Sequence, residues 1–193
     1  MIQPGGIILA GGRSTRMGGG DKGLRPLAGQ PMLAHVVARL APQVAALALN
    51  ANGDPQRWAS FGLPVLPDSC PGQPGPLAGI LAGMDWAAEA GLTHVVSVAT
   101  DAPFLPCDLV PRLLLAAVDG GAAFAVSPAG PQPVFGLWPV TQRDTLRAAL
   151  TDGMRRVRDW IALCAAAPAP FPADAAFFNI NTPEDLAQAG AMA

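Results

Sequence analysis

Short apolar runs alternate with amphipathic stretches along this chain, and that alternation admits few folds. Ile7–Ala10 reads as a strand. Pro31–Leu40 reads as a helix, with proline at its first position and Leu33, Val36, Val37 and Leu40 at helical spacing. A strand over Val44–Leu49, a short helix over Pro55–Phe61 and a brief strand over Pro64–Leu66 follow. A Pro/Gly-rich loop, Cys70–Pro76, leads into a helix over Leu77–Ala90. His94–Ala99 is the strongest strand, running into Thr100-Asp101. The pattern then predicts a helix over Asp108–Val118, strands over Ala122–Ser127 and Pro133–Trp138, and helices over Thr141–Leu150 and Arg155–Cys164. The last elements are a strand over Phe177–Ile180 and a helix from Thr182, where an N-cap threonine, Pro183 and two acids mark a helix start. The whole predicts an α/β, doubly wound, mostly parallel sheet flanked by helices. In such sheets ligands bind beyond the carboxyl ends of the strands. That singles out Gly11 to Lys22, Asn50, Asp68 and Asp101.

At 193 residues, 51% hydrophobic and 13% charged, the chain has one domain's worth of core. No linker or repeat divides it, so residues 1–193 are expected to form a single domain. The net charge of −2 offers no broad attraction for nucleic acid. Three well-separated cysteines, Cys70, Cys107 and Cys164, make no framework of disulfides and read as reduced, in a cytoplasmic protein. The first apolar run meets glycine too early for a signal peptide or membrane helix.

The first strand runs into Gly11-Gly12-Arg13-Ser14-Thr15-Arg16-Met17-Gly18-Gly19-Gly20-Asp21-Lys22-Gly23. Lys22 is the only lysine; the other 11 of the 12 Lys+Arg residues are arginine. Keeping one compact ammonium inside a glycine loop points to a polyphosphate ligand, cradled by backbone N–H groups and by Arg13, Arg16 and Lys22. Gly18 to Gly23 formally satisfies GxGxxG but lies too far beyond the strand for a dinucleotide fingerprint. The Walker A pattern fails because glycine follows Lys22. A plain surface loop leaves the clustering of three cations unexplained.

Leu9-Ala10-Gly11-Gly12, Arg16-Met17-Gly18-Gly19 and Asp21-Lys22-Gly23-Leu24 together resemble the LAGGxxxRMGGxDKGL signature of the molybdenum cofactor guanylyltransferases (the MobA family). The likeness continues in order through Asn50-Ala51-Asn52, Asp68-Ser69, Gly75-Pro76-Leu77-Ala78-Gly79 and Thr100-Asp101-Ala102-Pro103, where threonine stands in a place often held by cysteine. Gln132-Pro133-Val134-Phe135, Gly153-Met154-Arg155-Arg156-Val157 and Asn179-Ile180-Asn181-Thr182-Pro183-Glu184-Asp185-Leu186 complete it. The resemblance implies the nucleotidyltransferase fold and transfer of GMP from GTP to the terminal phosphate of molybdopterin, releasing pyrophosphate. The nucleophile is already anionic, so catalysis needs alignment and charge neutralisation rather than a general base.

The resemblance also implies roles. Asp101 binds Mg²⁺, and a helix N-cap is the plain alternative. Arg16 and Lys22 hold the β- and γ-phosphates, against solvated surface cations. Leu9, Ala10, Gly11 and Gly12 line the nucleotide. Asn50 and Asp68 line the guanosine site, against local turn roles; which of them reads the base stays open. Arg155, Arg156, Asn179 and Asn181 meet molybdopterin, against a solvated helix face for the arginines and a turn or cap for the asparagines. His35, His94 and the four tryptophans read as structural. The expected partners are GTP and molybdopterin, with transient contacts to cofactor-biosynthesis and molybdoenzyme maturation proteins, no nucleic acid and no membrane, in a monomer. Molybdopterin cytidylyltransferase is the rival enzyme. It tends to carry AAG at the first motif and an aspartate-rich last motif, so Gly11-Gly12 and the Asn179/Asn181 pair favour guanine. A nucleotide-binding regulator without catalysis is the rival from another class.

Overall fold

The computed structural model describes residues 3–11, 20–70 and 75–192. Gly12, Arg13 and Arg16, and residues 71–74 of the predicted Pro/Gly loop, lie outside it.

A seven-stranded sheet is built from β1 (Gly5–Leu9), β4 (Ala46–Asn50), β5 (Val65–Leu66), β6 (His94–Ala99), β7 (Ala123–Ser127), β8 (Gly130–Pro139) and β9 (Ala167–Pro170). β2 (Pro26–Leu27) and β3 (Gln30–Pro31) form a separate hairpin. The sheet order is β5-β4-β1-β6-β8-β7-β9. β5, β4, β1 and β6 are parallel, and β8 alone runs against its neighbours. The chain leaves β1 towards β4 and β5, then returns to the other side of β1 as β6. The switch point is therefore the crevice between β1 and β6, beyond Leu9 and Ala99.

Alternation along the strands feeds two cores, one on each face. Ile8, Leu47, Leu49, Val96 and Val98 pack under α1 (Met32–Leu40) and α3 (Leu109–Ala116). Ile7, Ala48 and Val95 pack under α2 (Pro76–Glu89), α4 (Arg143–Thr151) and α5 (Val157–Leu163). Each fully buried side chain of this size contributes about 1.5–3 kcal/mol. Ser97, in the middle of β6, donates to the Val134 carbonyl at 2.5 Å and accepts from Trp138 Nε1 at 2.9 Å. A third cluster, Leu27, Met32, Ile180 and Ala189, clamps α6 (Pro183–Met192) to the β2–β3 hairpin.

The structure corrects the sequence reading in four places. Pro31 ends β3 and caps α1 instead of opening it, because it pairs with Pro26 across a two-residue turn of positive φ at Ala28 and Gly29. The segment expected as a strand over Phe177–Ile180 is a 3-10 turn, Asp174–Phe177, followed by extended chain tied by Ile180 N–H to the Asp101 carbonyl at 2.9 Å. The last strand is β9, whose prolines disguised it and are tolerated at the sheet edge. The helix expected from Arg155 begins at Val157. Among the described residues, no helix is long and apolar enough to cross a membrane.

α2 lies close on β1 because glycine faces it: a Cβ at Gly83 would come within 2.8 Å of the Ile7 side chain. Gly83→Ala should cost about 1–3 kcal/mol by overpacking, seen as a fall of at least about 2 °C in Tm by calorimetry.

Candidate active site

The 3-10 turn Lys22–Leu24 and the β2–β3 hairpin follow the glycine loop, and Met32 N–H closes back on the Arg25 carbonyl at 2.8 Å. This turn aims Lys22 at the end of β6. Its ammonium donates to Asp101 Oδ2 at 2.8 Å and to Asn181 Oδ1 at 2.7 Å. The ion pair is shielded, with side chains 14% and 23% exposed. Asp101 is not a helix N-cap, since α3 starts at Leu109 with Asp108 in that place. Its second oxygen, Oδ1, is buried and has no hydrogen-bond partner among the described residues. An unpaired carboxylate oxygen away from water is costly. A hard divalent cation, which takes one or two carboxylates and fills its remaining positions with water or phosphate oxygen, fits that atom.

Asn181 is held by the start of α6. Thr182 Oγ1 accepts from Asp185 N–H at 3.1 Å, and Asp185 Oδ2 accepts from the N–H groups of Thr182 and Asn181 at 2.9 and 2.8 Å. The Asn181 N–H bond foremost, then the Thr182 bonds and the Lys22 charge, hold the Asp185 carboxyl below the usual carboxylate range.

The second half of the site lies beyond β4 and β5. Asn50 Nδ2 donates to the Leu66 carbonyl at 3.1 Å and to Asp68 Oδ1 at 3.0 Å. Asn52 Nδ2 donates to Asp68 Oδ2 at 2.8 Å, and Asn52 Oδ1 accepts from Asp68 N–H at 3.0 Å. Both oxygens of Asp68 are thus oriented by amides, each with acceptor capacity left for a ligand. Gly79 makes room for this arrangement, because a Cβ there would collide with Asn50 Oδ1. Between the halves, Ala10 N–H donates to the Asn50 carbonyl at 2.8 Å, and the Leu9 carbonyl accepts from Thr100 N–H and Oγ1 at 3.3 and 3.2 Å. These bonds lock the ends of β4, β1 and β6 together, and among the described residues nothing lies within 4 Å of where a Gly11 Cβ would sit.

The sequence-predicted residues therefore fall into two contact groups, Lys22–Asp101–Asn181 and Asn50–Asp68, with Leu9, Ala10 and Gly11 between. Gly12 and Arg16 lie outside the described residues. Asn179 is exposed, and its carbonyl accepts from Asn181 Nδ2 at 3.5 Å. Arg155 Nη1 is bonded to the carbonyls of Leu150 and Met154 at 2.8 and 2.7 Å, which finishes α4. Arg156 is exposed, at the N-cap of α5. His35 pins the hairpin through the Leu27 carbonyl, and His94 bonds Thr93 and the Gly120 carbonyl, so both are structural. The three cysteines are free, and burial pushes the Cys164 thiol up to about 11. Sequence reasoning passed over Asn52 as a site residue, although it shares a motif with Asn50. It also missed Asp85, which accepts from Ser69 Oγ at 2.6 Å and from Arg147 Nη2 at 2.6 Å and so anchors the segment after Asp68. No local pattern marks that residue.

The model for the MobA-like NTP transferase domain matches residues 6–169. A molybdenum cofactor guanylyltransferase of Bradyrhizobium sp. (strain ORS 278) is 51% identical over 195 residues, covering 97% of this chain and 92% of that protein. One from Cereibacter sphaeroides is 50% identical over 189 residues, covering 97% and 95%. The crystal structure of the molybdopterin-guanine dinucleotide biosynthesis protein A of Archaeoglobus fulgidus shares the fold, with a TM-score of 0.74 at 23% identity over 97% of both chains.

Because the Asp185 carboxyl is depressed, its contribution to stability is complete above the ordinary aspartate range and is lost as pH falls through its lower folded value. The protection of the Asn181 and Thr182 amides against exchange, taken relative to the intrinsic rate at each pH, should fall in that acid window, and Asp185→Asn should remove the acid step while lowering protection at neutral pH.

Proposed function

The chain belongs to the MobA-like NTP transferases, and from that premise we infer that it transfers GMP from GTP to the terminal phosphate of molybdopterin. A phosphate oxygen of molybdopterin attacks the α-phosphorus of GTP. The bond from that phosphorus to the bridging oxygen breaks, and pyrophosphate leaves with its electron pair. The observation that carries the reading is the Lys22 ammonium bound between Asp101 and Asn181 at the switch point, beside an Asp101 oxygen without a partner.

Lys22 has three N–H donors. Two meet Asp101 and Asn181, and the third serves the β- and γ-phosphates, whose charge grows as pyrophosphate departs. Arg16 acts on the same oxygens. Asp101, whose Oδ1 has no partner among the described residues, would hold Mg²⁺, and the ion would supply further neutralisation of phosphate charge. Asp68 accepts from the guanine N1–H and N2–H₂ edge, and Asn50 and Asn52 keep its oxygens turned outward. Leu9 and Ala10 form the floor under the nucleoside, and Gly11 and Gly12 allow close backbone approach. The exposed Arg156 and Asn179 are the residues assigned to the anionic acceptor, while Arg155 is engaged in finishing α4. The protein works as one unit, a cytoplasmic monomer in passing contact with other proteins of the cofactor pathway.

Pyrophosphate release tests this, with purified protein, Mg²⁺, molybdopterin and either GTP or CTP. Turnover should be selective for GTP, and Asp101→Ala should lower kcat/KM by about 10²–10³-fold. Preference for CTP would move the protein to cytidylyl transfer. Nucleotide binding without turnover would make it a regulator.

A further inference from the structure

Arg57, in the 3-10 segment Pro55–Phe61, stands between the two halves of the site, and the reaction above gives it no role. Its guanidinium donates in three directions. Nη1 donates to Asp21 Oδ1 and Oδ2 at 2.7 and 2.6 Å. Nη2 donates to the Asn52 carbonyl at 2.6 Å, and Nε to the Asp54 carbonyl at 3.0 Å. Its Cζ lies 5.8 Å from the centre of the Trp58 ring. Asp54 in turn fixes the start of the segment by accepting from Gln56 N–H at 2.9 Å. Glycine at position 53 suits this arrangement through its backbone and its lack of a side chain. Its φ is +87°, and a Cβ would come to 3.3 Å from Arg57 Nη2.

The two ends of this fork are the two halves of the site. Asp21 immediately precedes Lys22, and its carbonyl accepts from Leu24 N–H at 3.1 Å, so it fixes the turn that carries the lysine. Asn52 is the residue that orients Asp68 through both its amide atoms. A continuous path of hydrogen bonds and backbone therefore runs Asp68–Asn52–Arg57–Asp21–Lys22. Trp58 backs the same turn, its ring 3.4 Å from where a Gly23 Cβ would sit.

We propose that Arg57 is a positioning residue that holds the phosphate-binding turn of Lys22 at a fixed distance from the nucleoside wall of Asn52 and Asp68. The inference rests on the nucleotide reading given above. A ligand that uses both subsites benefits from having their separation set in advance, whereas a ligand of one subsite does not. The planar fork is the reason for arginine: its donors are spread over Nε, Nη1 and Nη2, whereas a lysine gathers its donors on one atom and cannot span the Asp21 carboxylate and the Asn52 and Asp54 carbonyls together.

The test compares GTP and guanosine binding by titration calorimetry in wild type, Arg57→Gln, Arg57→Lys, Asp21→Asn and the Arg57→Gln/Asp21→Asn combination, with Tm recorded for each. GTP affinity should fall about tenfold in each single variant, since each loses a charge-assisted bond. Arg57→Lys should not rescue it. The combined variant should be no weaker than the worse single one, because both break the same link. Guanosine affinity should stay within twofold, since Asn52 keeps both its bonds to Asp68. GTP affinity within twofold of wild type, losses that multiply, or equal losses for GTP and guanosine would each overturn the proposal. If Arg57→Gln does not fold, the near-isosteric Asp21→Asn decides alone. Wild type that binds GTP yet releases no pyrophosphate overturns the transferase reading and leaves the binding comparison intact; wild type that turns over GTP with unaffected variants overturns Arg57 alone.

Discussion

The contact on which the rest of the site depends is the ion pair between Lys22 and Asp101. It joins two segments 79 residues apart, the turn after the glycine loop and the end of β6. Long-range contacts of this kind are slow to form, since loop closure precedes their reward. Here the pair forms at a place already fixed by the sheet, because Leu9 and Ala99 are register partners and Thr100 bonds back to Leu9. The lysine is presented to a carboxylate whose position the core has set. A half-shielded pair of this type is a weak source of stability and a strong source of specificity for what replaces one partner. Under the proposed reaction, an incoming triphosphate would meet an ammonium already shielded from water and already aimed.

The two-faced core explains how such fixed geometry arises in a chain so rich in Ala and Gly. Small residues of α2 bring that helix close to β1 and β4, which sets Asn50 against Gly79 without space to turn. Polar groups inside the sheet are paired, as with Ser97 between Val134 and Trp138, so the strands leave little freedom at their ends. The sheet acts as the rigid frame, and the site is made of what protrudes from one end of it.

Much of this was legible in the sequence. β6 matches its predicted limits, and the parallel order follows from strands alternating with helices. Motifs in the order of a known family pointed to residues that the fold brings into contact, namely Lys22, Asp101 and Asn181 on one side and Asn50 with Asp68 on the other. What escaped has physical reasons. β9 is written in alanine and proline, which carry no strand periodicity, and only its place at an edge makes it a strand. Phe177–Ile180 reads as a strand because Phe177, Phe178 and Ile180 are apolar, but the buried Phe177 and Ile180 fill gaps beneath a turn and a helix. Pro31 suits a helix start and an extended residue equally, and pairing with Pro26 decided between them. Arg57 and Asp85 carry charges that look like ordinary surface charges until the fold sets their partners beside them.

The third apolar cluster has a consequence for the order of events in the cell. Leu27 and Met32 are made early, whereas Ile180 and Ala189, which complete their packing, are made late. Asn181 follows Lys22 by 159 residues. On the ribosome the sheet strands up to β8 emerge with the lysine turn still lacking its lid of C-terminal residues. The Lys22–Asn181 contact is thus among the last to be made, and it waits for the segment that carries α6.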